Sequence, residues 1–526
     1  MALTGLNLIG NISSGKGTTT FFAANPSTSK NLDTTFIEAT NEEVNMAVEK
    51  AESAFSSYSS KTSEERARFL ETIADEILAL GDELISRCMA ETALPEGRLI
   101  GERGRTMNQL KLFAKVVRDG SWADLRIDTA LPDRKPLPRS DIRQMQLPLG
   151  PVGIFGASNF PLAFSVAGGD TASALAAGCP VVVKAHPLHP GTSELVGMAI
   201  LNAARKTQMP DGVFSLIQGP SVEVGMAIVL HPKITAIGFT GSFRGGKAIF
   251  DAANKRSTPI PVFAEMGSSN PVFILPGILK KEKSNIAKGL AGSLTLGVGQ
   301  FCTNPGLLIM DQSDDANDFL KELGEQIKSS TPGTMLSAGI KNNYTAGVNK
   351  LTEAQGVSLV ASSSETETGN HAQSNVFTTG VHTFMQDHSL EEEVFGPTLL
   401  NVSTGNKAEM IKLAESLEGH LTATIHGTAA ELQEYSDLIK VLERKVGRII
   451  FNGFPTGVEV CDAMVHGGPY PATTAPQTTS VGTAAIKRFA RPVCYQDFPQ
   501  SALPVALRDE NPLKLWRLVN GEWRRE

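Results

Sequence analysis

Cys302 has the residue type and the surroundings of a catalytic nucleophile. It lies in the stretch Gly299-Gln-Phe-Cys-Thr-Asn-Pro-Gly306, where small residues and turn formers flank the thiol. The two glycines allow the backbone to approach a ligand closely. A thiol in such a loop can be surrounded by backbone N–H groups, as an attack on a carbonyl carbon requires. Because most free cysteines are small core residues, this stretch alone leaves both interpretations open.

Four further polar stretches follow predicted strands in the middle of the chain. They are Ser158-Asn159-Phe-Pro161, Lys184, Gly241-Ser242 and Glu265. Each also has a structural interpretation: an asparagine can cap a helix, a lysine can reach solvent, and a carboxylate can be satisfied at a strand end. Because parallel strands end at the same edge of a sheet, where such sheets bind ligands, we expect all four to lie near one another.

Together with Cys302, these residue types define a reaction. A thiolate attacks an aldehyde, and the Asn159 amide stabilises the oxyanion together with a backbone N–H of the Cys302 loop. Hydride then passes to a nicotinamide, and a thioester remains on the sulfur. Glu265 activates the hydrolytic water, provided that its surroundings raise its pKa towards neutrality.

Hydrophobic periodicity places these residues on an α/β scaffold. Helical patterns cover residues 41–118, with Asn41 as the predicted N-cap of the first helix. From Pro151, short apolar strands alternate with helices, one of them predicted over Pro161–Ala177, which indicates a doubly wound parallel sheet. A second α/β segment follows from Val272, with residues 357–380 predicted as a loop. The stretch 463–480 is long, rich in Gly, Pro and Thr, and expected to be functional.

Two N-terminal features need separate interpretations. Gly10 to Lys16 has the Gly-x4-Gly-Lys spacing of a phosphate-binding loop, but Gly17 stands where Ser or Thr would hold magnesium. We therefore predict a hairpin turn there. Ile142 to Leu147 alternates as an extended, edge-exposed arm, which favours pairing with another subunit.

Composition limits the classes of function. A chain of 526 residues suggests two or three domains. The net charge of −7 without blocks of like charge does not favour a nucleic-acid partner. Five scattered cysteines indicate a reducing compartment, and we find neither a signal peptide nor a membrane span. We expect a cytoplasmic protein with no metal site.

The combined motifs resemble the aldehyde dehydrogenase superfamily over nearly the whole chain. The motifs are Asn159-Phe-Pro, Lys184, Phe-Thr-Gly241-Ser242, Glu265-Met-Gly, Gly-Gln-Phe-Cys302 and Glu393-Val-Phe395-Gly-Pro. The resemblance implies Cys302 as nucleophile, Glu265 as general base and Asn159 as oxyanion donor. We assign cofactor-binding roles to Lys184, Ser158, Gly219, Gly241, Ser242, Glu393 and Phe395.

The resemblance also implies an architecture. We expect two doubly wound parallel-sheet domains and a β-arm for oligomerisation into a homodimer or homotetramer. The predicted NAD(P)-binding domain covers residues 1–267, interrupted by the arm at about 130–148. A catalytic domain covers 268–465, and residues 466–526 form an active-site loop and a C-terminal oligomerisation tail.

One departure from the family pattern concerns the cofactor. Many NAD-using members carry a glutamate three residues after the lysine, where this chain has Pro187. Loss of that carboxylate removes repulsion against a 2′-phosphate, which favours NADP, with NAD as the alternative. The absence of an arginine at Val222 argues against NADP.

Other stretches look like the subgroup that contains 2,5-dioxopentanoate dehydrogenases and a bacterial fatty-aldehyde dehydrogenase. They include Glu91-Thr-Ala-Leu-Pro-Glu96 and His466-Gly-Gly-Pro-Tyr-Pro471. We expect oxidation of 2,5-dioxopentanoate to 2-oxoglutarate, with a medium- or long-chain aldehyde as the alternative substrate. Candidate substrate residues are Phe160, Phe164, Arg105 and Phe454. His466 is a further candidate for proton transfer, although a lone histidine is more often structural.

Overall fold

The computed structural model describes residues 2–364 and 369–526. Its N-terminal part contains two short hairpins, a layer of four helices and two strands that extend from the main body. These elements are β1 (Asn7–Ile9), β2 (Ile12–Ser14), β3 (Thr20–Asn25), β4 (Lys30–Ile37), α1 (Asn41–Ser59), α2 (Ser63–Ala79), α3 (Gly81–Thr92), α4 (Glu96–Asp119), β5 (Arg126–Asp128) and β6 (Ile142–Pro148).

The first βα segment follows in regular alternation. Its elements are β7 (Val152–Phe155), α5 (Gly169–Ala177), β8 (Val181–Lys184), α6 (Pro190–Lys206), β9 (Phe214–Ile217), α7 (Val222–Leu230), β10 (Ala236–Thr240), α8 (Phe243–Asn254) and β11 (Val262–Glu265). The sheet order is β11-β10-β7-β8-β9-β1-β2, and β7 to β11 are all parallel. The order reverses between β7 and β10, so the ligand crevice of a doubly wound sheet is expected at the carboxyl ends of these two strands.

A second seven-stranded sheet is formed by the later elements. They are β12 (Val272–Ile274), α9 (Pro276–Thr295), β13 (Leu307–Asp311), α10 (Asp314–Lys328), β14 (Gly333–Thr334), α11 (Ala338–Glu353), β15 (Ser358–Ser362), β16 (His371–Ala372), β17 (Asn375–Gly380), α12 (Val381–Gln386), β18 (Thr398–Thr404), α13 (Lys407–Ser416), β19 (His420–His426), α14 (Ala429–Glu434), α15 (Ser436–Leu442) and β20 (Val446–Phe451). The order is β15-β17-β18-β13-β12-β19-β20, and only the edge strand β15 runs antiparallel to its neighbour. The expected two parallel sheets are therefore present.

A five-stranded sheet joins residues 126–148 to the C-terminal part of the chain. It adds β21 (Ala490–Gln496), β22 (Arg517–Val519) and β23 (Glu522–Arg524), in the order β21-β6-β5-β22-β23. Strand β6 contains the predicted arm but is not an edge, because β21 pairs with it over seven positions and β5 covers its other side. The open edge next to the arm belongs to β21.

Two apolar cores hold the first sheet between its helices. Strands β7, β8 and β9 place alternate valine, isoleucine and leucine side chains on opposite faces, as expected for strands that are buried on both sides. Gly153 in β7 has no room for a side chain, since a Cβ there would lie 2.8 Å from side-chain carbons of Ile228 and Ile237. Close packing of α7 on the sheet therefore depends on a glycine at this position.

Several predicted boundaries were wrong. Thr40, not Asn41, caps α1, because its hydroxyl accepts from the Glu43 N–H while the Glu43 carboxylate accepts from the Thr40 N–H. Only Gly169–Ala177 of the helix predicted from Pro161 is helical. Residues 157–168 form turns instead, tied down by the Glu102 carboxylate, which accepts from the Leu162 and Ala163 N–H groups at 2.8 and 3.0 Å.

The predicted loop at 357–380 contains three strands, β15, β16 and β17. Its Ser- and Thr-rich composition concealed a buried Val376-Phe377 pair at the centre of β17. Part of this prediction, residues 365–368, lies outside the described residues. The hairpin predicted near Gly10 is confirmed, since β1 and β2 pair antiparallel and Gly10 has φ +55° in the turn. In the described ranges, no helix combines the length and apolar character that crossing a membrane requires.

Candidate active site

The carboxyl edge of the first sheet brings together the residues predicted from strand ends. Asn159 lies in the turn after β7, Lys184 ends β8, Gly241 and Ser242 follow β10, and Glu265 ends β11. Ser242 is the N-cap of α8, and its hydroxyl accepts from the Gly245 N–H. The expectation that these positions share one edge is met by the parallel register of β8, β7, β10 and β11.

The Cys302 loop approaches this edge from the second α/β segment. After α9 the backbone turns sharply at Gly297, Val298 and Gly299, which have φ values of +56°, +59° and +63°. A Cβ at Gly299 would lie 2.4 Å from the carbonyl carbon of Gly396, so only glycine permits this approach of two backbones. The Asn270 side-chain amide donates to the Cys302 carbonyl at 2.9 Å and helps to hold the loop in this conformation.

Cys302, His466 and Glu265 form a contiguous cluster. The Cys302 Sγ lies 3.4 Å from His466 Nε2, and the same nitrogen lies 2.8 Å from Glu265 Oε1. Ser480 Oγ donates to the other carboxylate oxygen, Oε2, at 2.6 Å. The same ring nitrogen faces both the sulfur and the carboxylate, so Nε2 can pass a proton between Cys302 and Glu265, whereas the histidine of a Ser-His-Asp triad uses both of its nitrogens.

The irregular stretch 463–480 positions two of these side chains. It runs along the end of β11, where the Met266 N–H donates to the Ala472 carbonyl at 2.8 Å. Glu265 and Thr473 also form an isolated antiparallel β-bridge there. The Ser480 N–H donates to the His466 carbonyl, so the stretch also closes on itself. Its lack of regular structure was predicted correctly, and its backbone bonds explain why His466 reaches residues far away in the sequence.

The electrostatics of the cluster differ from the prediction for Glu265. Burial alone would raise the pKa of Glu265, but the neighbouring His466 and hydrogen bonds with His466, Ser480 and Cys302 outweigh it, and the pKa lies below its ordinary value. The expected rise towards neutrality is therefore wrong for this arrangement. Burial raises the pKa of the Cys302 thiol well above its ordinary value, and the Glu265 carboxylate adds to that rise. The thiol is thus protonated at neutral pH and requires a proton acceptor.

Asn159 lies directly beside the nucleophile loop. Its Nδ2 donates to the Gln300 carbonyl at 3.0 Å, and its own backbone carbonyl accepts from the Arg98 guanidinium at 2.8 Å. Since a side-chain amide carries two N–H donors, one remains for a ligand near Cys302. Arg98 was missed from the sequence, because its helical position in α4 gives no signal of this contact.

An aromatic and cationic wall lines the approach to the cluster. The rings of Phe160, Phe164 and Phe301 meet edge to face, with Phe160 5.3 and 5.4 Å from the other two. The Arg105 guanidinium lies 5.1 Å from the Phe164 ring centre, and its Nε and Nη2 are buried without a hydrogen-bond partner among the described residues. The wall also includes residues that the sequence did not single out: Ala157, Ala163, Val458, Val460, Met464 and Val481.

Phe454 does not join this wall. Its ring lies 5.1 Å from the His426 ring and packs against α9 near Gly289. Arg448 instead holds the neighbouring loop, because its Nη2 donates to the Pro455 and Gly457 carbonyls. Phe454 instead packs against a core of the second sheet, and its role as a substrate residue stays a prediction.

The predicted cofactor residues lie at the carboxyl edge of the first sheet and beside the Cys302 loop. Glu393 and Phe395 line a cavity beside the Cys302 loop, together with Gly299, Asn304 and Gly306. A Cβ at Gly267 would lie 2.5 Å from a Glu393 carboxylate oxygen, so a glycine is needed for Glu393 to reach this position. Lys184 and Gly219 lie at the β8 and β9 ends of the same edge, and Ser158 is at the β7 end. Strand ends, the N-terminus of α8 and a lysine at one sheet edge are features that suit a dinucleotide.

The cluster could also be interpreted as a metal site. Ligand atoms of Glu265, Cys302 and His466 lie within 4.8 Å of one another, and this is the one such group of three within ranges 2–364 and 369–526. However, the observed hydrogen bonds already use Glu265 and the His466 Nε2 with each other. We therefore interpret the cluster as proton-transfer machinery.

Comparisons with known proteins agree with this geometry. A model described as the aldehyde dehydrogenase family matches residues 12–469. Alpha-ketoglutaric semialdehyde dehydrogenase 2 of Azospirillum brasilense is 51% identical over 523 residues, covering 99% of this chain and 100% of that protein. Alpha-ketoglutaric semialdehyde dehydrogenase of Acinetobacter baylyi is 47% identical over 487 residues, covering 92% of each.

Solved structures share the fold at lower identity. A double mutant of betaine aldehyde dehydrogenase from Staphylococcus aureus, in complex with NAD+, superposes with a TM-score of 0.80 at 21% identity. The match covers 94% of this chain and 97% of that one. A 1-pyrroline-5-carboxylate dehydrogenase gives a TM-score of 0.78 at 21% identity, covering 93% and 92%.

Proposed function

The chain belongs to the aldehyde dehydrogenase family, and from that premise we propose that it oxidises 2,5-dioxopentanoate (alpha-ketoglutaric semialdehyde) to 2-oxoglutarate. The family oxidises aldehydes with NAD or NADP. The observation that carries the proposal is the contact of Cys302 Sγ with His466 Nε2, backed by Glu265 and flanked by Asn159.

In the first step, His466 acts on the thiol. In the tautomer that carries its proton on Nδ1, His466 accepts the Cys302 proton at Nε2, and the new N–H donates to Glu265 Oε1, which stabilises the imidazolium. The sulfur attacks the aldehyde carbon, and the carbonyl π electrons move onto oxygen. The free N–H of the Asn159 amide and a backbone N–H of the Cys302 loop stabilise that oxyanion.

A bound nicotinamide dinucleotide would supply the hydride acceptor for the next step. The residues proposed to hold it are Lys184, Ser158, Gly219, Gly241, Ser242, Glu393 and Phe395. Loss of hydride leaves a thioester on Cys302. Once His466 has released its proton, Glu265 accepts a proton from water, the water oxygen attacks the thioester carbon, and the C–S bond breaks to give the acid.

Arg105 supports a substrate that carries a carboxylate. Its guanidinium remains charged in proteins, lies against the Phe160–Phe164 wall and interacts electrostatically with Cys302 and Glu265. Its unpartnered Nε and Nη2 match the two oxygens of a carboxylate. A fatty aldehyde would leave these donors unsatisfied in an apolar channel, at a cost of about 1–3 kcal/mol or more. The two relatives at 51% and 47% identity bear names that agree with the dioxo acid.

The remaining features of the proposal concern cofactor choice and assembly. Pro187 favours NADP, whereas the exposed Val222 offers no cation for a 2′-phosphate. We propose a cytoplasmic homodimer or homotetramer, assembled through the sheet of β6 and β21. Five free cysteines fit a reducing compartment.

The test compares substrates and one substitution. The enzyme is assayed for NADH and NADPH formation with 2,5-dioxopentanoate, succinic semialdehyde, pentanal and a fatty aldehyde. We expect the highest kcat/KM with 2,5-dioxopentanoate, and we expect Arg105→Met to raise its KM about tenfold or more through loss of a charged hydrogen-bond pair. Pentanal, which has the same length without a carboxylate, is the control and should keep its KM. Higher kcat/KM with the fatty aldehyde, or equal loss for both five-carbon substrates, would overturn the assignment.

A further inference from the structure

A carboxylate that the sequence did not single out lies beside Gly219 and Ser221, just after the carboxyl end of β9. Glu38 follows β4 and reaches across to the ends of β8 and β9. Its Oε2 accepts from the Ser221 N–H, immediately before α7, at 3.0 Å. The backbone also secures its position, since the Glu38 N–H donates to the Thr19 carbonyl and the Ala39 N–H donates to the Gln218 carbonyl.

Gly219 fits this carboxylate closely. Its φ is +150°, and a Cβ there would lie 3.0 Å from Glu38 Cγ and 3.1 Å from Glu38 Oε2. The glycine after β9 therefore makes room for an acidic side chain from a distant part of the chain. Gly219 was predicted as a cofactor residue, so the carboxylate lies at a position assigned to the dinucleotide.

Lys184 is a cation on the same sheet edge that interacts electrostatically with this carboxylate. Burial lowers the pKa of Lys184 to about 8, and Glu38 is the charge that opposes this fall. The two groups interact electrostatically, yet they form no direct ion pair among those found in the described part of the chain. A carboxylate and an ammonium group held apart at one strand edge can bind a diol between them, with the hydroxyls donating to the acid.

Known features of dinucleotide sites indicate which group of the cofactor Glu38 and Lys184 could bind. In doubly wound folds, an acidic residue accepts from the ribose 2′-hydroxyl of NAD, whereas a nearby arginine accommodates the 2′-phosphate of NADP. A phosphate beside a carboxylate would place like charges within a few ångströms. The first residue of α7 is the exposed Val222 and the second is Glu223, so the start of this helix adds no positive charge.

We infer that the Glu38 carboxylate accepts a hydrogen bond from the adenosine ribose 2′-hydroxyl and thereby makes the enzyme prefer NAD over NADP. Glu38 would replace the carboxylate that is missing at Pro187. The inference rests on the proposed function, because it requires a dinucleotide at this sheet edge. It runs opposite to the NADP preference expected from Pro187 alone. That expectation considered residues close to Lys184 in sequence, whereas five helices, α1 to α5, lie between Glu38 and Lys184 along the chain.

The experiment measures binding of NAD and of NADP by isothermal titration calorimetry to the full-length enzyme and two variants. Glu38→Gln keeps an oxygen for the Ser221 N–H but removes the charge. Glu42→Gln removes an exposed carboxylate in the first turn of α1 and is the matched control. We expect the wild type and Glu42→Gln to bind NAD about tenfold or more tightly than NADP, and Glu38→Gln to lose most of that difference.

Two outcomes would overturn the inference: tighter binding of NADP by the wild type, or the same NAD/NADP ratio in Glu38→Gln. If Glu38→Gln fails to unfold cooperatively, Glu38→Asp replaces it. The shorter acid should weaken NAD while NADP remains the weaker ligand, and any other order would count against the role. Failure of the proposed function would appear separately, as lack of cofactor reduction with 2,5-dioxopentanoate whichever nucleotide binds.

Discussion

At the scale of single residues, the reaction depends on proton transfer among Cys302, His466 and Glu265. Cys302, Glu265 and Asn159 were predictable from residue type, local sequence and family motifs. The contact between His466 and Glu265 was not, because 201 residues separate them and only the docking of the 463–480 stretch brings them to 2.8 Å. Ser480, which donates to the same carboxylate, gave no signal beyond its location in that stretch.

The raised thiol pKa has a measurable consequence. Because the pKa of Cys302 lies well above its ordinary value, its thiolate fraction at neutral pH is small and grows as pH rises. Alkylation of Cys302 by iodoacetamide should therefore accelerate about tenfold per pH unit from about pH 7 to about pH 9 without levelling off. Peptide mapping by mass spectrometry measures the rate, with the exposed Cys461 as internal reference. A plateau below pH 9 would contradict the protonated resting thiol.

Two substitutions separate attack from hydrolysis. Glu265→Gln should retain a rapid first turnover of cofactor reduction but lower the steady-state rate about 100-fold or more, because the thioester lacks its base. His466→Asn should slow the first turnover itself and change the pH–rate profile, because the thiol loses its proton acceptor. Rapid-mixing absorbance at the reduced-cofactor band distinguishes them. An unchanged first turnover and pH profile in His466→Asn would restrict this histidine to a structural role.

At the scale of elements, the α/β alternation was predicted because short apolar strands between helices are distinctive. The predictions failed where a distant side chain sets the local structure. Glu102 accepts from two backbone amides and holds the turn at Leu162 and Ala163, so a segment with helical composition is not a helix. Likewise, β6 looked like an edge, because the partner strand β21 comes from residues more than 340 positions later.

The sharp turn before Cys302 can be tested with a matched pair of glycines. Gly299→Ala would place a Cβ 2.4 Å from the Gly396 backbone at φ +63°. It should therefore destabilise the loop by about 2 kcal/mol or more and reduce activity. Gly292→Ala lies on the exposed side of α9, where a Cβ meets nothing within 4 Å, and should stabilise by about 0.5 kcal/mol. Thermal unfolding and kcat measure both. Equal effects at the two positions would show that loop geometry is not the cause.

At the scale of the whole molecule, the active site lies where three parts of the chain converge. The first sheet supplies Asn159 and Glu265, the second α/β segment supplies Cys302, and the late irregular stretch supplies His466. The two sheets were predictable from their local patterns. Their mutual arrangement was not, because it depends on contacts such as Gly299 against Gly396, which involve two loops far apart in sequence.

The proposed assembly through the β21 edge can be checked with cysteines. Cys494 lies on β21 and Cys461 lies before His466, and both are exposed in the single chain. If β21 pairs with another subunit, Cys494 should react with a maleimide more slowly than Cys461 and accelerate when the enzyme is diluted to monomers. Labelling is followed by mass spectrometry, with sedimentation velocity giving the size. Equal labelling of an oligomer would place its interface elsewhere.

The distance along the chain between Cys302 and His466 also determines the order in which the ribosome synthesises the two residues. His466 is made 164 residues after Cys302, a delay of roughly 10 to 30 seconds at the usual rates of translation. During that interval the nascent chain carries the thiol and Glu265 but lacks the group that takes the thiol proton. In a ribosome-bound chain that stops before the 463–480 stretch, the Cys302 thiol is therefore not activated as a nucleophile. Turnover begins only when the last part of the polypeptide has emerged and docked.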